Sequence, residues 1–209
     1  MGNGLRERKK AETRAALQDA ALRLAARDGV DKVSIEAIAE AAGVSPRTFF
    51  NYFSSKEDAI LGGAPSDPSL LADLLRDRPA DEAPLDALRV ALKGSVERLE
   101  EDPDRWVLRR QLAQRHPELA GRYAARLAQV EQDLVVEIAR RLDLDPDHDL
   151  YPGTLVGAAM AAVRVAMTVW QNQDHPPDLA GLIDRAVDQL EGGLVRPART
   201  ARTSRPGGR

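Results

Sequence analysis

The chain has 209 residues, 43% hydrophobic and 30% charged, with no cysteine and a formal net charge of −3. That balance belongs to an ordinary globular protein rather than a disordered one. The missing thiols exclude disulfides, thiolate metal sites and a cysteine nucleophile. The acid excess lies between residues 61 and 193, with 24 acidic and 15 basic side chains, whereas residues 194–209 hold five arginines and no acid. An acidic body with a local basic surface orients a polyanion rather than excluding it.

Helix signals dominate from the start, and no segment reads as a strand. The basic opening, Met1 to Lys10, runs into an amphipathic alanine-rich pattern without the continuous apolar run of a secretory leader. A first helix is predicted over Arg6–Arg27, with Leu17, Ala20, Ala21, Leu24 and Ala25 on one face and Gly29 as its stop. Ser34 is placed to cap a short second helix, whose apolar face is Ile35, Ile38, Ala39 and Ala42 and which stops at Gly43. Ser45 caps a third, with Pro46 at the first position, where the missing amide proton costs nothing. Ser54 and Glu57 have capping-box spacing and predict a fourth helix from about Ser55. Gly62–Asp67 is the expected joint between domains. Further helices are expected at about Ser69–Arg76, Pro84–Glu101, Asp104–Arg115, Pro117–Leu142, Gly153–Gln173 and Asp178–Glu191, separated by Pro or Gly. The most apolar stretch, Leu155–Trp170, is short for a membrane span and contains Arg164, so it reads as a buried helix of a cytoplasmic protein with no membrane partner. The tail, 194–209, has no apolar face and is expected to be disordered.

Ser34–Phe53 is the informative segment. Two short helices separated by Gly43-Val44 form a helix-turn-helix pattern, in which the second helix enters the major groove of DNA. Winding the third helix puts Phe49 and Phe53 on one face, toward Ile38 and the first helix. Pro46, Arg47, Phe50 and Asn51 share another. Arg47 can donate two bonds to guanine, Asn51 can pair with adenine, and Phe50 can touch a thymine methyl. Thr48, Tyr52 and Lys56 flank this face with donors suited to phosphates, and the helix starts at Ser34 and Ser45 offer free amides for the same purpose. Four of the eight aromatic residues are Phe49, Phe50, Tyr52 and Phe53; a core accounts for the first and last but not for the middle two. Periodicity by itself is equally compatible with a compact helical hairpin whose Arg47 and Asn51 are merely solvated.

The run AIAEAAGVSPRTFFNYFSSKEDAI resembles the N-terminal domain of TetR-family regulators, which carry Ile-Ala, Ala-Gly-Val-Ser, Tyr-Phe and Lys-Glu at these spacings; the likeness extends over about residues 12–61. One departure is Phe50, where the family usually has a tyrosine whose hydroxyl reaches DNA, which leaves apolar contact. The resemblance implies that Pro46, Arg47, Phe50 and Asn51 face bases and that Thr48, Tyr52 and Lys56 face phosphates. It also implies that Arg6, Arg8, Lys9 and Lys10 reach a flanking minor groove. The expected architecture is all-α: an N-terminal three-helix helix-turn-helix domain (1–61) followed by a helical ligand-binding and dimerisation domain (62–193), with nine to ten helices in total.

Members of that family pair through their last two long helices. The residues expected at a dimer interface are Leu155, Ala158, Ala162 and Val169 together with Leu179, Leu182, Ile183, Ala186 and Leu190; Gly157, Ala161 and Ala166 permit close helix approach. Such families also bind a small-molecule effector in this domain. The expected lining is Trp106, Arg109, Leu112, Tyr123, Met160, Arg164 and Met167. Arg164 serves as a ligand contact, as the partner of Glu131 or Asp133, or as a solvated edge residue. The segment from Asp104 to Leu142 resembles the mycofactocin-regulator type, which implies acyl-coenzyme A as a ligand class and Arg109, Arg110 and Arg115 as nucleotide contacts.

An enzyme is the first rival. His116, His148 and His175 are scattered, and no phosphate loop or nucleophile elbow is present. The acidic run Asp143–Asp149 fails as a calcium loop, because His148 and Thr154 stand where glycine and glutamate are required. No cofactor, metal or catalysis is expected. The other rival is a helical protein-interaction module that never touches DNA.

Overall fold

The computed structural model describes residues 3–62, 68–100, 103–172 and 178–194. Ten α-helices follow in order: α1 Asn3–Asp28, α2 Ile35–Ala41, α3 Pro46–Phe50, α4 Lys56–Leu61, α5 Pro68–Arg76, α6 Pro84–Glu100, α7 Pro103–Arg115, α8 Pro117–Leu142, α9 Leu150–Gln171 and α10 Leu179–Glu191. A single 3-10 turn, Val30–Lys32, links α1 to α2, and no strand occurs among the described residues. Five helices, α3 and α5 to α8, open on a proline. Proline is tolerated there because its fixed φ is already helical and its lost N–H has no partner in the first turn.

The expected starts of α1, α4 and α9 shift, α1 opening at Asn3 and not at Arg6. Ser55, not Ser54, caps α4 by accepting from Asp58 N, while the Ser54 hydroxyl bonds the Asp58 carboxylate instead. Helix α9 begins at Leu150, a turn before Gly153, because Pro152 sits in its first turn, where no intrahelical N–H bond is needed. At 22 residues α9 is long and apolar enough to cross a membrane by length and composition, but the Val156, Met160, Val163, Met167 and Trp170 side chains are buried inside the body. The joint at 63–67, His175, the start of the chain and the tail from residue 195 lie outside the described residues.

Two apolar cores result. One lies in the body, where α5, α6, α8, α9 and α10 enclose Leu75, Leu88, Leu134, Ile138, Val156, Ile183 and Val187. Glu137 is buried beside it and held by Arg76 (3.3 Å) and Arg140 (2.5 Å). Burial alone would raise its carboxyl pKa, but the hydrogen bonds and charges of the two arginines outweigh this and hold it below the usual carboxylate range. Arg141 donates to the Arg78, Pro79 and Glu82 carbonyls and so fastens the α5–α6 turn to α8.

The other core lies in the N-terminal head, around Leu17, Ala21, Leu22, Ile38, Phe49, Phe53 and Ile60. It is not made by the first four helices alone. Leu112 of α7 and Leu119 of α8 are buried in it, with Leu108, Ala113 and Tyr123 packed at its edge. Leu112, expected in a ligand pocket, is therefore a correction: its side chain fills head core, because the break at His116-Pro117 lets α7 pack on α1 and α4 while α8 packs on α4.

Leu119 is fully buried in the head although it belongs to the body's longest helix. Replacing it with alanine should cost about 2–5 kcal/mol in urea unfolding, since the cavity left behind cannot fully collapse. Val136→Ala on the exposed side of the same helix should change stability by less than about 0.5 kcal/mol.

Candidate nucleic-acid interface and effector cavity

The head presents α3 by locking each of its ends. Gly43, at φ +69°, makes the turn after α2, and Val44 N closes it onto Ala39 O at 2.9 Å. A side chain would be strained at that φ. Ser34 accepts from Ala37 N, and Ser45 accepts from Thr48 N, both at 3.1 Å; the Ser45 and Thr48 hydroxyls are 2.9 Å apart. Both serines are thus caps. Because Pro46 has no N–H, the Arg47 amide is the donor of that first turn not used in capping.

Phe49 is fully buried and Phe53 nearly so, with ring centroids 5.7 Å apart. Pro46, Arg47, Phe50 and Asn51 project outward. The helix ends at Phe50, with Asn51 as its C-cap still in the right-handed region. Phe50 is 58% exposed and stands edge-on to Phe49 at 5.6 Å. An exposed phenyl ring held upright by a buried one is costly in water, and Arg47 beside it makes no ion pair among the described residues. Thr48 and Tyr52 are half-buried at the flank, and Tyr52 also lines a groove shared with α8. Arg6, Arg8, Lys9 and Lys10 are exposed, but they lie in the first turns of α1 rather than on an extended arm, and Arg8 pairs with Glu12.

Lys56 corrects an expectation. Its ammonium donates to Val30 O and Val33 O at 2.9 Å and to Asp31 O at 3.3 Å. Three donors meet three carbonyls, so it ties the start of α4 to the 3-10 turn and is not a free phosphate ligand. The carbonyls converge where the 3-10 turn gives way to extended backbone at Val33, with Val30 O also accepting from Val33 N, something no local pattern around Lys56 reveals.

In the body, Tyr123, Met160, Arg164 and Met167 line one small cavity with Leu71, Leu92, Ser95, Val96, Leu127, Val130, Glu131 and Val163. Its volume is about 50 Å³, room for a water or two but far below the roughly 300–1,000 Å³ of drug-sized sites. Arg164 stands at its rim, 3.7 Å from Glu131, which is the partner expected on structural grounds; Asp133 instead accepts from Gln129. Burial pushes the Tyr123 phenol up, opposed by the nearby charge of Arg110. Arg109 is not at the cavity: its Nε donates to Ile60 O at 3.2 Å, toward the head. Arg115 is exposed, and the Trp106 side chain lies outside the described ones.

The expected dimer residues divide. Leu179, Leu182 and Ile183 are buried in the protomer's own core and Ala162 is covered, while Leu155, Ala186 and Leu190 are half-buried, the first two packed against that core. That is a correction for Leu179, Leu182 and Ile183, which close the body itself. The acidic edge of α10 is also taken, by Arg89 to Asp188 and Glu191 (2.7 and 2.6 Å) and by Lys93 to Asp184 (2.5 Å). What remains open is the outer face of α9. Tyr151, Thr154, Ala158, Ala161, Val165, Thr168 and Val169 form an uncharged strip there, with Val165 61% exposed. Val165 was missed in the sequence because a lone valine between buried positions gives no periodic signal. The acids Asp145 and Asp149 close their own turn, on Asp147 N, His148 and Asp145 N, and no metal-holding group occurs among the described residues.

A capped helix-turn-helix carrying an outward basic and aromatic face, joined to a helical body with its own core, defines a DNA-binding regulator of transcription. Two family models match: "Bacterial regulatory proteins, tetR family" over residues 17–60 and "MftR C-terminal domain" over residues 82–195. The chain belongs to the TetR family. It is 34% identical to the HTH-type transcriptional regulator TcmR of Streptomyces glaucescens, over 99% of this chain and 92% of that one. It is 26% identical to a protein provisionally named the mycofactocin biosynthesis transcriptional regulator MftR of Mycobacterium tuberculosis, over 90% and 94%. Among solved structures, the fatty acid degradation regulator FadR of Bacillus halodurans shares the fold, with a TM-score of 0.60 and 22% identity over 88% of this chain and 97% of that one.

The Lys56 clamp separates two roles by experiment. Lys56→Met should lower stability by about 1–3 kcal/mol, the cost of leaving carbonyls unmet. The slope of log affinity for DNA against log salt should stay unchanged, whereas loss of a phosphate contact would reduce it by about 1.

Proposed function

We propose that this TetR-type regulator is a cytoplasmic repressor that binds a palindromic operator as a homodimer and is released by a small-molecule effector. In this reading residues 1–61 are the DNA-binding head and 62–193 the ligand-binding and dimerisation body, with Leu112 and Leu119 lent by the body to the head. The observation that carries it is the outward face of α3, where Arg47, exposed Phe50 and Asn51 stand on a buried Phe49/Phe53 base. Arg47 reads guanine, Asn51 adenine, and Phe50 makes an apolar contact to a thymine methyl; Pro46 packs at the same edge. Phosphate contacts come from the Thr48 and Tyr52 side chains and from the amides at the Ser34 and Ser45 helix starts.

The dimer is assigned to a second copy of the chain seated on the α9 strip. Its small uncharged side chains allow close helix approach, and pairing two heads doubles the contacts of a five-residue recognition helix. The effector is an apolar molecule with one polar end, matching a lining of Leu, Val and Met that ends at the Arg164–Glu131 pair; the acyl end of a coenzyme A thioester has that shape. Since the cavity holds only about 50 Å³, such a ligand must swing Met160 and Met167 and part α6, α8 and α9. Flexible methionines suit that role. Displacing α8 moves Leu119 and with it the head, so the effector favours a head spacing that misfits the operator.

Arg47→Ala with Asn51→Ala should abolish gel retardation of the chain's own upstream intergenic DNA at moderate salt while leaving the dimer intact. Absence of any fragment-specific retardation by the unmodified protein would sink the DNA reading and leave a protein-interaction module. Val165→Glu should halve the mass seen by sedimentation velocity, because an interface would bury an unpaired carboxylate; an unchanged mass would move the dimer contact away from α9.

A further inference from the structure

The polar side chains that line the cavity of the body are Ser95, Tyr123, Glu131 and Arg164. Three of them are already satisfied within the protein. The buried Ser95 hydroxyl donates to Leu92 O at 2.7 Å, and Arg164 and Glu131 form their own pair at 3.7 Å. Tyr123 is the exception. Its hydroxyl makes no hydrogen bond among the described residues, although burial acts on the phenol strongly enough to push its pKa up. A donor drawn out of water without an acceptor is costly, and a ligand that supplies the acceptor recovers that cost.

A charge stands beside that hydroxyl. Arg110 lies six residues before His116, where the chain breaks between α7 and α8, and Tyr123 lies seven after it. Both are therefore roughly 10 Å along their helices from the break, at the same level of the α7–α8 pair. The guanidinium is close enough for its charge to oppose the effect of burial on the phenol. Arg110 is half-buried and has no carboxylate partner among the described residues. Its neighbour Arg109 is committed elsewhere, to Ile60 O. An unmatched donor and an unmatched cation thus meet where Tyr123 packs against the head core.

We propose that the effector carries an anionic oxygen, a carboxylate or a similar singly charged oxygen acid, which accepts from the Tyr123 hydroxyl in the field of Arg110. This rests on the effector reading above and adds to it a second polar end. Tyr123 and Glu131 are eight residues apart on α8, about 12 Å at the helical rise. Leu127 and Val130 lie between them, with Met160, Val163 and Met167 across the cavity. The ligand class is an elongated apolar molecule with an oxyanion at one end and a neutral hydrogen-bonding group, suited to the Arg164–Glu131 pair, at the other. Hydrogen bonds to a charged acceptor are roughly twice as strong as neutral ones. A thioester carbonyl is uncharged and would leave Arg110 unmatched. Because Tyr123 also touches the head core, the charged end of the ligand is held at the joint between head and body.

Two probes of equal length, titrated calorimetrically into the full chain, test it: 10-hydroxydecanoate, with one anionic end, and 1,10-decanediol, with none. Arg110→Gln should weaken binding of the hydroxy acid at least about tenfold and of the diol by less than about twofold. Tyr123→Phe, which removes one oxygen and keeps the ring, should weaken the hydroxy acid by a similar factor. Unchanged affinity for the hydroxy acid in either folded variant overturns the proposal, as do equal losses of both probes in Arg110→Gln. So does a diol that binds the unmodified chain where the acid does not; in all three cases the cavity still stands as an effector site. If neither probe binds the unmodified chain, the proposal falls together with the effector reading. None of these outcomes depends on DNA.

Discussion

The seating of the head on the body depends on the insertion of Leu112 and Leu119, two side chains of the body's helices, into the head's apolar core. The ionic ties across the same joint, Arg105 to Asp19 and Arg122 to Asp58 at 3.5 and 3.4 Å, are partly exposed. Such pairs are each worth about 0–1 kcal/mol, against roughly 1.5–3 kcal/mol for a fully buried leucine. The apolar insertion therefore sets the geometry and the ion pairs trim it. A close-packed core resists continuous deformation, so a shift of α7 or α8 carries the head as a unit instead of being absorbed at the boundary.

Helix α8 is the shared member of this arrangement. Leu119 enters the head, Tyr123 touches both the head core and the small cavity of the body, and Val130, Leu134 and Ile138 anchor the rest in the body. Far from the head, Glu137 and Arg141 hold the same helix to α5 and to the α5–α6 turn. The distal end is thus the fixed one and the proximal end the one whose side chains reach two neighbouring compartments. A small tilt about the distal anchor becomes a larger displacement at Leu119.

The helices, the inward Phe49/Phe53 pair and the caps Ser34 and Ser45 were legible in the sequence, because capping and helical period are local and the relevant residues lie within a few positions of one another. What was not legible depended on partners distant in the chain. Nothing around Lys56 announces that three carbonyls of a turn more than twenty residues earlier will take its donors. Leu112 follows the apolar period of its helix correctly, but a period does not say which of two cores receives that face. The same ambiguity misplaced Leu179, Leu182 and Ile183, since an apolar stripe looks alike whether it closes its own body or meets another chain. The α9 strip was legible in part: Ala158 and Val169 belong to the expected interface and Ala161 to the close-approach residues, whereas Val165, a lone valine among alanine and threonine, gives no signal of its own.

The prolines that open α5, α6, α7 and α8 constrain how such a body can move. A residue before proline is disfavoured from helical dihedrals, so backward growth of these helices into the preceding link carries a cost, one that α9 bears once, at Tyr151 before Pro152. The usual ways in which a helical domain yields to a guest, by winding up a connector or sliding a helix start along the chain, are disfavoured at those four points. The body then behaves as rods with fixed lengths, for which tilting and sideways translation are the remaining coordinates.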